Sequence, residues 1–110
     1  VSELVGGSTL PESAAFAETC MSKVPPDVYG ATIYSLFKFE GRDALPDIQV
    51  STLVLAGEHD TTVPAVMMEG MASKIAGAEH VCLSSAGHLV NIEVAEAFNW
   101  AVLDFIRHRR

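Results

Sequence analysis

The apolar positions of the chain fall into two kinds of run. In the first, Val28, Tyr29, Ile33 and Phe37 recur at helical spacing and predict a helix from Val28 to about Phe37. In the second, residues 52–56 read Thr-Leu-Val-Leu-Ala without a polar break and end at Gly57. A short unbroken apolar run fits a strand buried on both faces, as in a parallel sheet covered by helices. His80-Val81-Cys82-Leu83 predicts a second strand of this kind. Between the two strands, Pro64 suits the first residue of a helix. Val66, Met67, Met71 and Ile75 would form that helix's buried stripe, and Gly77 its stop. The final helix follows the loop Ser84-Ser85-Ala86-Gly87-His88. Asn91 is expected as its N-cap, Glu93 and Glu96 lie near its positive end, and Val94, Phe98, Ala101, Val102, Phe105 and Ile106 form its buried face. Residues 1 to about 26 are rich in Ser, Gly, Ala and Pro. A turn at Leu10-Pro11-Glu12-Ser13 and a short helix from Ala14 to Lys23 are expected there. Pro25-Pro26-Asp27 would then end one helix and start the next, with Asp27 as N-cap. Strands alternating with helices imply βαβ units, right-handed crossovers and a parallel sheet.

Composition bears on how much of a protein this is. With 110 residues, 49% hydrophobic, the chain is rich in apolar residues for a self-contained domain of its size. A segment that packs against a larger protein would have this composition, and a chain starting at Val1 is expected to be processed, trimmed or part of a longer polypeptide. The formal net charge of −7 argues against nucleic acid and anionic membrane as partners. Arg107-His108-Arg109-Arg110, the one basic cluster, reads as a helix C-terminus. Cys20 and Cys82 lack CxxC spacing and read as free thiols in a reducing, cytoplasmic compartment. No run reaches the ~20 apolar residues that span a bilayer, and no signal peptide is recognisable.

Ligands of an open parallel sheet bind outside the carboxyl ends of its strands. Asp60 follows the first strand and His88 the second, so both side chains can converge on one side of the sheet. A carboxylate beside an imidazole fixes its tautomer and stabilises the imidazolium formed on proton uptake. Taken alone, Asp60 reads as a turn residue bonded to its own backbone and His88 as an ordinary loop histidine. Their pairing, the strand-end placement and the flanking Pro64 and Gly87 favour a catalytic acid and base. His59 is expected to point away from Asp60, and His80 to be structural. Met67, Met68 and Met71 read as packing, and Ser84 and Ser85 as loop formers. No HExxH or close ligand pair supports a metal site, and no cofactor is implied.

Gly57-Glu58-His59-Asp60 with Val63-Pro64, then Ala86-Gly87-His88 before the terminal helix, resembles the α/β-hydrolase fold family. Residues 48–57 look like that family's penultimate strand, with Ser51 where a Pro commonly stands. Three stretches, His88-Leu89-Val90-Asn91-Ile92-Glu93, Pro26-Asp27-Val28-Tyr29-Gly30 and Phe39-Glu40-Gly41-Arg42-Asp43-Ala44-Leu45, are similar to the 3-oxoadipate enol-lactonase branch. The resemblance implies the C-terminal part of a doubly wound α/β sheet, its last two parallel strands with flanking helices, plus the end of a helical cap. Residues 1–26 would be cap or linker and 27–110 core. It also implies a nucleophilic Ser in a Gly-x-Ser-x-Gly elbow upstream of acid and base. No Ser here has Gly two residues before and two after it.

The expectation is therefore part of a serine-type hydrolase of an ester or enol-lactone, with the lactonase resemblance implying aromatic catabolism, acting through an acyl-enzyme. Asp60 and His88 would serve as acid and base, and an N-terminal half, in cis or as a separate chain, would be the partner that carries the nucleophile. Alone, the chain should be inert, and Val54, Leu55, Val81 and Leu83 should lose their cover. The alternatives are a perhydrolase, haloperoxidase-like enzyme or carbon–carbon bond hydrolase of the same fold, or a non-catalytic ligand-binding module. The last has no need of both acid and base.

Overall fold

A computed structural model of the chain describes residues 4–7 and 9–108. Arg109 and Arg110 of the basic cluster lie outside them. In chain order the elements are α1 (Pro11–Ser22), α2 (Pro26–Lys38), a 3₁₀ turn (Arg42–Asp47), β1 (Leu53–Gly57), α3 (Ala65–Ser73), β2 (Glu79–Leu83), α4 (Val90–Glu93) and α5 (Ala95–Arg107). The two strands pair in parallel, Leu53 opposite Glu79 through Gly57 opposite Leu83. Their carboxyl ends therefore emerge side by side. Two parallel strands with flanking helices are the arrangement expected from the sequence. No helix among the described residues is long and apolar enough to cross a membrane.

Helix starts depart from the expectations in one consistent way. Pro11 is the first residue of α1, where a turn was expected, and Pro26 that of α2, so Asp27 lies within the first turn and caps nothing. Proline's fixed φ suits the first helical position, where its missing N–H would have no helical partner. Pro64 stands one residue outside α3, as its N-cap. Asn91 is not an N-cap either. It lies inside the short α4, and the backbone breaks at Val94 (φ −132°) before α5 begins.

The helix that crosses from β1 to β2 leads to a buried Ile75 and keeps Met71 half-buried, as expected, but the rest of its stripe lies one step round. Ala65, Met68, Ala72 and Ile75 turn inward, whereas Val66 and Met67 face out. The inward set recurs at i, i+3, i+7 and i+10, an equally good helical stripe of smaller residues at the sheet contact. Ile75, 5% exposed, contributes about 1.5–3 kcal/mol by its burial. Gly77 ends the segment with φ +70°, as anticipated for a stop.

The exposed apolar surface also differs in place from the expectation. Val54 and Leu83 are buried within the pair of strands and Leu55 and Val81 half-buried. Among the uncovered apolar groups are Tyr34, Leu36 and Phe37 on α2, Trp100, Leu103 and Ile106 on α5, and Phe39 and Val50 outside the regular elements. Val94, Phe98, Ala101, Val102 and Phe105 form the inner stripe of α5, but each is only half-buried, and Ile106 belongs to the outside. The strands are protected because α3 and α5 pack on them. The outer helix faces have no such partner among the described residues.

Candidate active site

Asp60 and His88 are brought together by the loops that leave β1 and β2. Asp60 Oδ2 lies 2.9 Å from His88 Nδ1. A carboxylate only accepts, so Nδ1–H donates, and Nε2 is left with its lone pair. The other carboxylate oxygen, Oδ1, accepts the backbone N–H groups of Thr62 and Val63, both at 2.9 Å. The turn role and the pairing with His88 therefore coexist on different oxygens of one side chain. The Asp60 side chain is 7% exposed and that of His88 36%.

The two loops are stitched to each other beyond the strand ends. Glu58 N–H donates to Leu83 O (2.9 Å) and His59 N–H to Ala86 O (2.8 Å). Glu58 Oε2 accepts the N–H of Ser85, a residue in the left-handed region at φ +61°. His59 Nε2 lies 3.6 Å from Glu58 Oε2. His80 lies in β2, with Nε2 buried and without a hydrogen-bond partner. Backbone contacts around these loops are so close that only glycine fits at two places. A Cβ on Gly57 would sit 2.0 Å from Gly87 O, and one on Gly87 would sit 2.5 Å from Gly6 N.

One residue of this region was read from sequence only as an acid near a helix start. Glu93 is 8% exposed. Its Oε1 accepts Gly6 N–H (2.6 Å), Gly87 N–H (3.0 Å) and the Thr9 hydroxyl, and its Oε2 accepts Leu89 N–H (2.9 Å). His88 N–H donates to Leu4 O at 2.7 Å. The signal in the sequence was an acid five residues after His88. Its partners Gly6 and Thr9, 87 and 84 positions away, left no local trace.

Burial by itself would raise both carboxyl pKa values. For Asp60 the N–H of Val63, His88 and the N–H of Thr62 outweigh it, and for Glu93 the donors Thr9, Gly6, Gly87 and Leu89 do. Both therefore end below their ordinary values of 3.8 and 4.5. A carboxyl that binds its proton less tightly when folded stabilises the fold above its ordinary value. That contribution is lost as pH falls through the depressed folded value. The urea midpoint is accordingly expected to fall between pH 6 and pH 3, and to fall less steeply in Glu93→Gln. A midpoint that stayed flat or rose on acidification would contradict this.

Comparison with known proteins agrees with the fold. The α/β-hydrolase family described as TAP-like protein matches residues 35–110. The chain is similar to the enol-lactonase of Burkholderia xenovorans, with 40% identity and TM-score 0.59 over 61% of this chain and 25% of that one. An esterase from Thermogutta terrifontis matches at 36% identity and TM-score 0.60, over the same shares. A serine hydrolase involved in carbazole degradation shares the fold over 96% of this chain and 44% of its own, at TM-score 0.78 and 21% identity. The chain spans 4% and 30% of the length of the curated relatives it matches. With a family match over most of its length and the strand–loop–helix order around Asp60 and His88, the chain belongs to the TAP-like family of α/β-hydrolases.

Proposed function

We propose that the chain supplies the acid and base of a serine-type hydrolase that opens an ester or lactone through an acyl-enzyme. The observation that carries this is the 2.9 Å contact of Asp60 Oδ2 with His88 Nδ1 at the adjoining ends of two parallel strands. It leaves Nε2 as a base whose tautomer is fixed. A serine hydroxyl on an upstream segment attacks the substrate carbonyl carbon while Nε2 takes its proton. The Asp60 carboxylate stabilises the resulting imidazolium. His88 then returns the proton to the departing alkoxide, which in a lactone stays tethered to the acyl group. Next, Nε2 takes a proton from water, the hydroxide displaces the serine oxygen, and the serine recovers its proton.

The similarity to an enol-lactonase and an esterase supports the substrate class, with a small enol-lactone as the specific proposal. The bare outer faces of α2 and α5 support the need for an upstream segment, which would cover apolar groups such as Trp100 and Phe37. The test is hydrolysis of a chromogenic acetate ester, with an enol-lactone as second substrate. Joined to the segment that carries its serine, the chain should give a burst of one product equivalent followed by steady turnover. The 110-residue chain alone should give neither. Equal turnover by the chain alone would overturn the proposal.

A further inference from the structure

Three consecutive backbone N–H groups centre on His88, and each has a named acceptor. Gly87 N–H goes to Glu93 Oε1 (3.0 Å), His88 N–H to Leu4 O (2.7 Å) and Leu89 N–H to Glu93 Oε2 (2.9 Å). One carboxylate thus straddles the residue that bears the base, with one oxygen on the peptide before it and the other on the peptide after it. The same carboxylate holds Gly6 N–H and the Thr9 hydroxyl, drawing both residues against the loop. The same end of the chain supplies the Leu4 carbonyl. Glu93 lies at the end of the four-residue α4, just before the break at Val94, and is 8% exposed. Hydrogen bonds to a buried charged group are about twice as strong as neutral ones and fix direction as well as distance.

We propose that Glu93 is a positioning residue for His88: its carboxylate clamps the peptides on either side of the base and so sets where the imidazole stands relative to Asp60 and the nucleophile. Glu93 touches neither substrate nor reacting atoms and acts only through the backbone of residues 87–89. The proposal deepens the hydrolase reading above and rests on it. The alternative for a buried carboxylate with these partners is a staple that fastens Gly6 and Thr9 and contributes to stability alone.

Glu93→Gln in the protein that carries its nucleophile separates the two. The amide is nearly isosteric, but it cannot present acceptors to both flanking peptides. Its NH₂ must face an N–H donor on one side, either at Leu89 or at Gly6, Gly87 and Thr9. Displacements of about 1 Å in a catalytic group cost roughly 10²-fold in rate, and loss of an outer partner of an active group typically costs 10- to 100-fold. The expected result is a kcat about 10- to 100-fold lower per active site, counted by burst amplitude, with KM within about twofold. Ile75→Val, a core change at a residue that makes none of the Glu93 hydrogen bonds, should lower the thermal midpoint and leave kcat per site unchanged.

If Glu93→Gln behaves like Ile75→Val, lowering the midpoint with kcat intact, the staple is the right account and the positioning role is wrong. If His88→Ala also keeps its turnover, the hydrolase reading fails together with this one. Hydrogen exchange on the unmutated protein gives a test that no folding defect can obscure. The amides of Gly87, His88 and Leu89 should exchange as slowly as those of β1 and β2. Exchange at the rate of an open loop would overturn the clamp.

Discussion

His88→Ala, in the protein joined to its nucleophile, is expected to lower kcat by about 10⁴- to 10⁶-fold, the range seen when the base of a triad is deleted. That is about 5–8 kcal/mol of transition-state stabilisation at 1.36 kcal/mol per tenfold. The loss should be catalytic and not structural. The His88 side chain is about one-third exposed and bonds to Asp60, while its place in the loop is held by backbone groups that alanine retains. The circular dichroism spectrum should therefore match that of the parent and KM should change little. Asp60→Asn should cost about 10⁴-fold, because the amide permits the wrong imidazole tautomer. Turnover at the parent rate in His88→Ala would refute the acid–base assignment outright.

Gly57→Ala is expected to be the most damaging single methyl group in the chain. Its Cβ would lie 2.0 Å from Gly87 O and 2.6 Å from Ala86 O, and both obstacles are backbone. The loop that bears His88 would have to retreat by about 1 Å or more to restore normal contact. That movement would open the Asp60–His88 hydrogen bond and the His59–Ala86 stitch together. We expect a stability loss above about 4 kcal/mol, in the range reserved for gross steric conflict, with at least a 10²-fold fall in kcat for whatever folds. Gly70→Ala is the matched control. It lies within α3 with nothing within 4 Å of the added Cβ, and should stabilise by about 0.5–1 kcal/mol. Similar urea midpoints for the two variants would disprove the close-packing account.

The unequal success of sequence reading has a physical basis. The strands and the pairing of Asp60 with His88 were legible because each depends on short stretches: an apolar run, a glycine, a charged residue at the strand end. Part of the α3 stripe was misplaced by one step, since Met67 and Ala65 serve equally well on a helix and the sheet chooses the smaller. Asp27 and Asn91 were taken as caps from their chemistry, whereas the prolines and the Val94 break decided where the helices begin. Which faces stay bare could not be read at all, because exposure depends on what packs there and apolarity does not encode it. Glu93 escaped for a similar reason. A carboxylate that collects donors from both ends of the chain looks, in the local sequence, like any acid near a helix start.

The span of the Glu93 contacts carries a consequence for how the chain folds. Gly6 and Thr9 meet Glu93 across separations of 87 and 84 residues, close to the longest this chain allows. Closing such loops is entropically costly and slows folding, whereas the β1–α3–β2 unit forms from neighbours in sequence. The sheet should thus assemble first and the seating of Gly6 and Thr9 against the His88 loop last. In a refolding time course, protection of the strand amides would precede protection at residues 87–89. The final placing of His88, the proposed base, would then come last, after the bulk of the secondary structure is already in place.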